Sequence, residues 1–576
     1  MFRLKVNKSG GRDYLSVVSS YWDPVIKNSR TKTIKSFGYL EKLKEEFADP
    51  ISHFKTVVDE MNSELAAKNA EFNIKCDIDA LISDSKAHRK NLGYSALSEI
   101  YHELGLDVLF SNRSRAFNNE YSINQIMMLL IYSQILSPGS KKKAFESKGI
   151  YFEKMDFSLE DIYRCLTQVN TFKDVIPKSL NNKMKQLYNR KSEIVYYDVT
   201  NYYFEIDSED DLRKKGASKE HRPDPIVQLG LFVDSNKIPI TYRLFPGNTH
   251  DSKTLIPLVS ELKKDFGINK AIVVADKGLN SGDNIAFNTV IEKGYVFSQK
   301  IRGANKELKD YVFDEKGYRV LNEDFKLKSR IAPTEITITN NDNKKVKVSI
   351  DQKQVIIYSK KYADKARQKR ESVVEKAHML IKSPSSYNRA TSYGAAKYVK
   401  NLTFDQTTGE ILYSKQKPVF DEEKLKEDER YDGYYAIITS ELDKTDEEIL
   451  DIYKGLWQIE EAFKVTKTDL RSRPVYLSRQ DRIEAHFLIC FISLYIVRLL
   501  AYKLDNKYSI SKIISSLNKM SYSFIAQNLY VGNYSDEITI AIKDKLNIDL
   551  DRKFITLGEI RKIIGDTKKR TNPQGL

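Results

Sequence analysis

From Glu193 the chain runs through five segments whose order restricts the fold more than any other stretch does. "EIVYYDVTNYYFEI" (193–206) is dense in β-branched and aromatic residues, the composition of a strand. "PIVQLGLFVD" (225–234) and "KIPITYRLF" (237–245) read as two more strands with turn residues between them. "DSKTLIPLVSELKKDFG" (251–267) carries apolar residues at helical spacing, and "KAIVVADKG" (270–278) is a short apolar strand ending in a charge. A meander followed by a helical crossover into a buried strand predicts a mixed α/β sheet. Its last strand should lie parallel to the first.

The flanking sequence divides by composition. Two β-like runs, "DYLSVVSSYWD" and "TKTIKSFGYL", make 1–50 a small β-like segment. Residues 51–190 read as a helical DNA-binding region, with "INQIMMLLIYSQIL" and "LEDIYRCLTQV" at helical period and the breaker "SPGS" at 137–140; a helix-turn-helix fits within it. The core occupies 191–301, where "GYVFSQK" (294–300) is a fifth strand, and resumes over 431–505 from "YDGYYAIITS". Between them, 302–430 reads as an inserted β-rich basic domain with one strongly charged helix, and 506–576 as a helical C-terminal region. The helix over 360–376 either tracks a DNA backbone or is a solvated charged face. "AHFLICFISLYIVRLLAY" contains an Arg and follows a charged segment, so it reads as a buried helix rather than a membrane span.

Charge bears on partners. The 576 residues hold 94 Lys+Arg against 79 Asp+Glu, a net +15. That excess suits an anionic partner such as nucleic acid, and equally suits lysines scattered for solubility. Cys76, Cys165 and Cys490 are too few and too far apart for a disulfide framework or a thiolate zinc site, which fits a reducing cytoplasm. The N-terminus lacks the apolar core of a signal peptide. HExxH, a phosphate loop ending in Lys-Ser/Thr and a nucleophile elbow are all absent from the sequence.

Three acids stand out by position. Asp198 lies inside an apolar strand, Asp276 ends another, and Glu460 edges the amphipathic helix "IYKGLWQIEEAFKVTK" (452–467). Singly, each has a plain reading: a half-exposed or turn-capping charge, a strand-terminating turn, and an ion pair with Lys464 four residues on. Together, oxygen ligands from two strands and a helix are what Mg²⁺ or Mn²⁺ prefers. On one continuous helix Tyr453, Glu460 and Lys467 fall within about 40° of one another. Ile452, Leu456, Ile459, Phe463 and Leu470 form the adjacent apolar stripe.

"YYDVTNYYFE", "LFPGNTHDSKTL", "VVADKGLNS", "YDGYYAIITS" and "YKGLWQIEEAFKVTKTDLRSRPVYLSRQDRIEAHFLICFISL" resemble, in order, the blocks of DDE transposases of bacterial insertion sequences. They are most similar to the insertion-sequence-four group, whose helix carries Tyr-x2-Arg-x3-Glu-x6-Lys. The resemblance runs from about 192 to 500. It implies a ribonuclease H-like core in which Asp198, Asp276 and Glu460 are catalytic and bind two Mg²⁺ (or Mn²⁺) ions. The 184 residues from Asp276 to Glu460 agree with the β-rich insertion of this group. Tyr453 and Lys467 match the helix motif and Trp457 sits beside it, but position 456 is Leu where the motif has Arg. Lys464 is the candidate replacement cation, so Tyr453, Trp457, Lys464 and Lys467 are the expected DNA-binding residues.

The same resemblance implies a transposase that binds the terminal inverted repeats of its element, cleaves phosphodiesters and joins 3′-hydroxyls to target DNA. It implies a homodimer on paired ends and a place in the bacterial cytoplasm, at the nucleoid. The alternatives are a ribonuclease H-like nuclease without strand transfer and a non-catalytic DNA-binding protein derived from a transposase. Gly247 and Asn248 read as a turn, and His250 as structural.

Overall fold

The computed structural model divides into two units, Met1–Ser83 and Asp84–Leu576. It describes residues 2–9, 11–23, 28–47, 49–68, 89–217, 223–340, 342–383, 394–401, 403–404, 411–412, 417–526 and 528–569. Cys76 lies outside them, whereas Cys165 and Cys490 are buried free thiols.

The first unit is an antiparallel meander of β1 (Phe2–Ser9), β2 (Arg12–Asp23) and β3 (Asn28–Tyr39), followed by α1 (Leu40–Glu46) and α2 (Pro50–Lys68). The first hairpin turns at Gly11, whose φ of 82° glycine adopts without Cβ strain. Leu15 and Val17 of β2 are buried together with Leu43 of α1 and Val58 of α2, while Phe37 and Phe54 stack at 4.1 Å. Most of β3 is exposed, so this small sheet buries one side.

In the second unit the five expected segments become β5 (Ile194–Tyr203), β6 (Ile226–Asp234), β7 (Pro239–Pro246), α9 (Leu255–Lys264) and β8 (Ile272–Ala275). They follow β4 (Arg89–Asn91) and six helices, α3 (Tyr94–Glu103), α4 (Leu106–Ala116), α5 (Ile123–Leu136), α6 (Lys141–Glu146), α7 (Leu159–Asn170) and α8 (Val175–Tyr188). β5 pairs antiparallel with β6 and parallel with β8, as the crossover predicts. After α10 (Gly282–Val290), β9 (Gly294–Gln299) adds parallel to β8.

The 302–430 segment shares this sheet. Beyond α11 (Lys306–Phe313), β10 (Arg319–Asn322), β11 (Phe325–Thr339) and β12 (Lys345–Ser359) form an antiparallel ladder. β12 leads directly into α12 (Lys360–Lys382). Two-residue pieces follow, β13 (Val399–Lys400) with β16 (Val419–Phe420) and β14 (Thr403–Phe404) with β15 (Ile411–Leu412), then α13 (Glu422–Glu429) and β17 (Tyr434–Thr439). β17 lies between β12 and β9, giving one nine-stranded mixed sheet in the order β10-β11-β12-β17-β9-β8-β5-β6-β7. The long hairpin of the insert thus extends the core sheet.

Strand alternation gives the sheet two covered faces. Val195, Tyr197, Val199, Val273 and Ala275 pack against Leu255, Leu258 and Leu262 of α9. Tyr196, Tyr202, Val274 and Val296 face a helical layer built on α14 (Asp446–Lys454), α15 (Trp457–Lys464) and α16 (Gln480–Lys503). α16 contains the apolar run. It is the one described helix long and apolar enough to cross a membrane, yet 94% of its apolar window is buried inside the protein. Each Leu, Ile or Phe buried there contributes about 1.5–3 kcal/mol, which makes α16 the axis of the helical layer. Its Arg498, the charge that interrupts the run, pairs with Glu461 of α15 at 3.1 Å. The chain closes with α17 (Ile510–Lys519), β18 (Ser521–Ala526), β19 (Leu529–Gly532), α18 (Glu537–Leu546), β20 (Phe554–Thr556) and α19 (Leu557–Thr567); β18 pairs back to β4.

Candidate active site

The two strand aspartates become neighbours through register. Tyr196 of β5 pairs with Val274 of the parallel β8, and two residues on along each strand stand Asp198 and Asp276. They share the face of Tyr196 and Val274, the one covered by α14 and α15. Both are half-buried. On the other side of β8, Val274 pairs with Val296, so Ser298 comes level with Asp276. Its hydroxyl donates to Asp276 Oδ1 at 2.8 Å and orients that carboxylate.

The 452–467 stretch does not form one regular helix. α14 ends at Lys454, and the amides of Leu456, Gln458 and Ile459 reach back three residues, to Tyr453, Gly455 and Leu456. Residues 465–469 then widen into a π-helical turn in which Leu470 N donates to Val465 O. The first irregularity coincides with a close crossing of β5. A Cβ on Gly455 would lie 2.0 Å from Tyr196 Oη, so the helix can cross β5 this closely only with glycine there.

The expected single face is corrected accordingly, because tight and wide turns break the 100° step on which it rested. Tyr453 and Glu460 line one cleft with Asp276. Lys467 sits 5.4 Å from the Tyr202 ring, whose hydroxyl bonds Thr466 Oγ1 at 2.9 Å.

That cleft has a volume of about 730 Å³. Glu460 is exposed at its edge, Leu456 is buried as the apolar stripe required, and Trp457 is 49% exposed with Lys237 Nζ 4.2 Å above its ring. Lys464 is exposed one turn beyond Glu460, and among the described residues no ion pair joins the two. Burial pushes the Tyr453 phenol up to about 12, the Asp276 and Glu460 carboxylates add to the rise, and the Ser298 hydroxyl opposes it. The phenol therefore stays protonated at neutral pH, a hydrogen-bond donor on the cleft that Asp276 and Glu460 line. Lys277, Lys300 and Lys454 also line the cleft, with Tyr362, Tyr431 and Tyr435. Cations interleaved with aromatic rings around a small acidic centre suit a polyanion with stacked bases.

Among the described residues no three His, Cys, Asp or Glu side chains converge closely enough to hold a metal ion. Asp276 and Glu460 line the cleft, and the register sets Asp198 of β5 beside Asp276, an open arrangement and not a closed cage. As a donor set they still fit a hard divalent cation. All are carboxylates, Asp276 is already oriented by Ser298, and Glu460 has no described hydrogen-bond or ion-pair partner to displace.

The turn at Gly247 is tight, since a Cβ there would lie 2.1 Å from Ile226 O and 2.2 Å from Lys214 O, and His250 Nδ1 bonds Ser252 Oγ in a local turn. Ser252 O accepts from Asn284 Nδ2, which ties this loop to the segment after Asp276. Sequence reasoning missed Ser298 and Gly455. Ser298 follows from the parallel register once "GYVFSQK" is a strand, whereas nothing local marks Gly455.

A model of the family described as "Transposase DDE domain" matches residues 204–496, just over half of the chain. One described as "IS1634 family transposase, N-terminal domain" matches residues 3–71. The first match contains Asp276 and Glu460 and begins six residues after Asp198, whose placement rests on the β5–β8 register. Among solved structures the chain resembles a piggyBac transposase synaptic complex with hairpin DNA, at 9% identity over 84% of this chain and 87% of that one, with a TM-score of 0.38. No curated protein matches the chain.

Proposed function

The chain belongs to the DDE transposase family, of the kind encoded by bacterial insertion sequences, and on that premise we propose that it cuts the ends of its own element and joins them to target DNA. The strand order β7-β6-β5-β8-β9, with β5, β8 and β9 parallel, supports a ribonuclease H-like core. The observation that carries the reading is the register: it sets Asp198 beside Asp276 on the face where α14 and α15 bring Tyr453 and Glu460.

Asp198, Asp276 and Glu460 would hold two Mg²⁺ or Mn²⁺ ions, which when bound supply Lewis-acid polarisation of the phosphate and an acidified water. The chain's own residues do the rest. Ser298 keeps Asp276 in one orientation. The protonated Tyr453 phenol donates to a non-bridging phosphate oxygen, where charge develops in the displacement. Lys277 and Lys300 seat the backbone on either side of the scissile phosphate. Water attacks first and frees a 3′-hydroxyl, and that hydroxyl then attacks a target phosphodiester. Lys464, Lys467 and Trp457 bind the end itself, and two ends held together require a homodimer. Specific end recognition lies within residues 1–190.

The test replaces Asp198, Asp276 or Glu460 by Ala. Each variant should lose cleavage of a duplex carrying the element's terminal repeat while binding it nearly as well as the wild type, since binding rests on phosphate contacts elsewhere. A Glu460→Ala protein that cuts at near wild-type rate sinks the assignment. A wild type that cleaves and never joins its 3′-ends to target DNA is a nuclease, not a transposase.

A further inference from the structure

The charges of α12 are sorted by side. At about 100° per residue, Lys361, Lys365, Lys369, Ser372 and Lys376 fall within about 80° of one another. Asp364, Glu371 and Glu375 form a separate row, centred about 100° round the helix from the lysines. Ala363 and Ala377 are buried on the remaining side.

A helix charged only for solubility gains by setting opposite charges four residues apart. Here that spacing joins Lys361 to Lys365, Lys365 to Lys369 and Glu371 to Glu375, all like pairs that repel. All four lysines of the stripe are exposed, and among the described residues no carboxylate pairs with any of them. The arrangement is unfavourable in the protein alone and favourable against a polyanion.

Two contacts fix where the stripe points. Arg370 donates to both oxygens of Asp432, at 2.6 and 2.5 Å, and the Tyr362 ring lies 5.4 Å from that of Tyr435 on β17. Tyr362 and Ala366 stand beside the lysines, on the side away from the acids, and both line the cleft of Asp276, Tyr453 and Glu460. The stripe thus starts at that cleft and follows α12 for about 22 Å from Lys361 to Lys376.

We infer that α12 seats a DNA backbone on its lysine stripe, and that this DNA is the flank beyond the element's end. The choice of a DNA backbone follows from the unpaired, ordered cations and their continuity with the cleft. The choice of the flank rests on the proposed function, in which Lys464 of α15 holds the end itself. α12 supplies a different wall of the cleft, so DNA continuing past the scissile phosphate meets the lysines. At about 3.4 Å per base pair the stripe spans six or seven of them.

Full-length wild type is compared with Lys369→Gln/Lys376→Gln and with a charge-matched control, Lys360→Gln/Lys382→Gln, whose lysines lie on the acidic side of α12. All four positions are exposed, so the variants keep the fold. Each protein binds a duplex carrying the element's terminal repeat, extended past the scissile phosphate by about two or about ten base pairs, between 50 and 200 mM salt. On the long flank the stripe variant should lose about 1.8 from its log–log salt slope, so its affinity falls about 12-fold less than that of the wild type across the range. On the short flank it should match the wild type, and the control should match on both.

A stripe variant with the wild-type slope on the long flank overturns the surface, as does a control that loses as much slope as the stripe variant. An equal loss on both lengths removes the assignment to the flank. A wild type that neither cleaves the repeat nor prefers it to random duplex overturns the proposed function; a stripe variant that still loses about 1.8 in slope on random duplex then leaves α12 standing as a DNA surface.

Discussion

Gly455→Ala isolates the helix crossing from the chemistry. The backbone at 455, φ −60° and ψ −12°, suits alanine, so the substitution costs nothing in local conformation and gains up to about 1 kcal/mol of helix propensity. Its methyl, however, would stand 2.0 Å from Tyr196 Oη and 2.4 Å from Tyr196 Cζ, where carbon contacts settle near 3.5 Å. Helix and strand must part by about 1.5 Å, or Tyr196, only 3% exposed, must leave its packing. Overpacking of this kind costs about 1–3 kcal/mol, so the net change in stability should be within about 2 kcal/mol.

The catalytic change should be larger. Glu460 lies five residues on, and a displacement of about 1 Å in a catalytic group costs on the order of 100-fold in rate. Single-turnover cleavage of an element-end duplex, beside a urea melt, measures both quantities. Tyr196→Val removes the obstacle, so the double variant should recover rate relative to Gly455→Ala, with a coupling of about 0.5–3 kcal/mol in a double-mutant cycle. A Gly455→Ala enzyme that cleaves at the wild-type rate refutes the crossing as what positions Glu460.

Lys464→Ala should weaken end binding and lower the salt slope by about 0.9, whereas Leu456→Ala should act through stability alone and cost about 2–5 kcal/mol; salt-dependent binding and chemical melts separate the two. His486 is held neutral, its pKa pushed down to about 3 by burial and by the Lys141 ammonium, with the Cys490 thiol beside it. Below the unfolded value of about 6.5 the unfolded chain takes a proton that the folded one refuses, so stability falls as pH drops towards 3, and His486→Gln should flatten melting temperature against pH in that window. A chain lacking residues 1–83 should keep its melting transition, since the second unit has its own core, yet lose preference for element ends over random duplex in competition binding.

The local pattern determined a good deal. β-Branched, aromatic and apolar runs and one amphipathic helix identified β5, β6, β7, α9 and β8, and right-handed crossover made β8 parallel to β5, which is enough to bring Asp198 and Asp276 together. The 480–503 run identified a buried axis, and Leu456 a packed position. These features are short-range, because a strand's faces and a helix's stripe are set by residues a few positions apart.

Tertiary packing decided the rest. That the β11–β12 hairpin joins the core sheet depends on β17 lying between β12 and β9, a pairing between residues far apart in the chain. The tight turn at Gly455 lies where the chain meets Tyr196 across the sheet, and the π turn at 465–469 lies where Thr466 bonds the Tyr202 hydroxyl; no periodicity within 452–467 contains either neighbour. The contact of Lys141 in α6 with His486 in α16 joins residues 345 positions apart. A side chain's own neighbours in sequence specify which way it faces, but only the completed fold specifies what stands opposite.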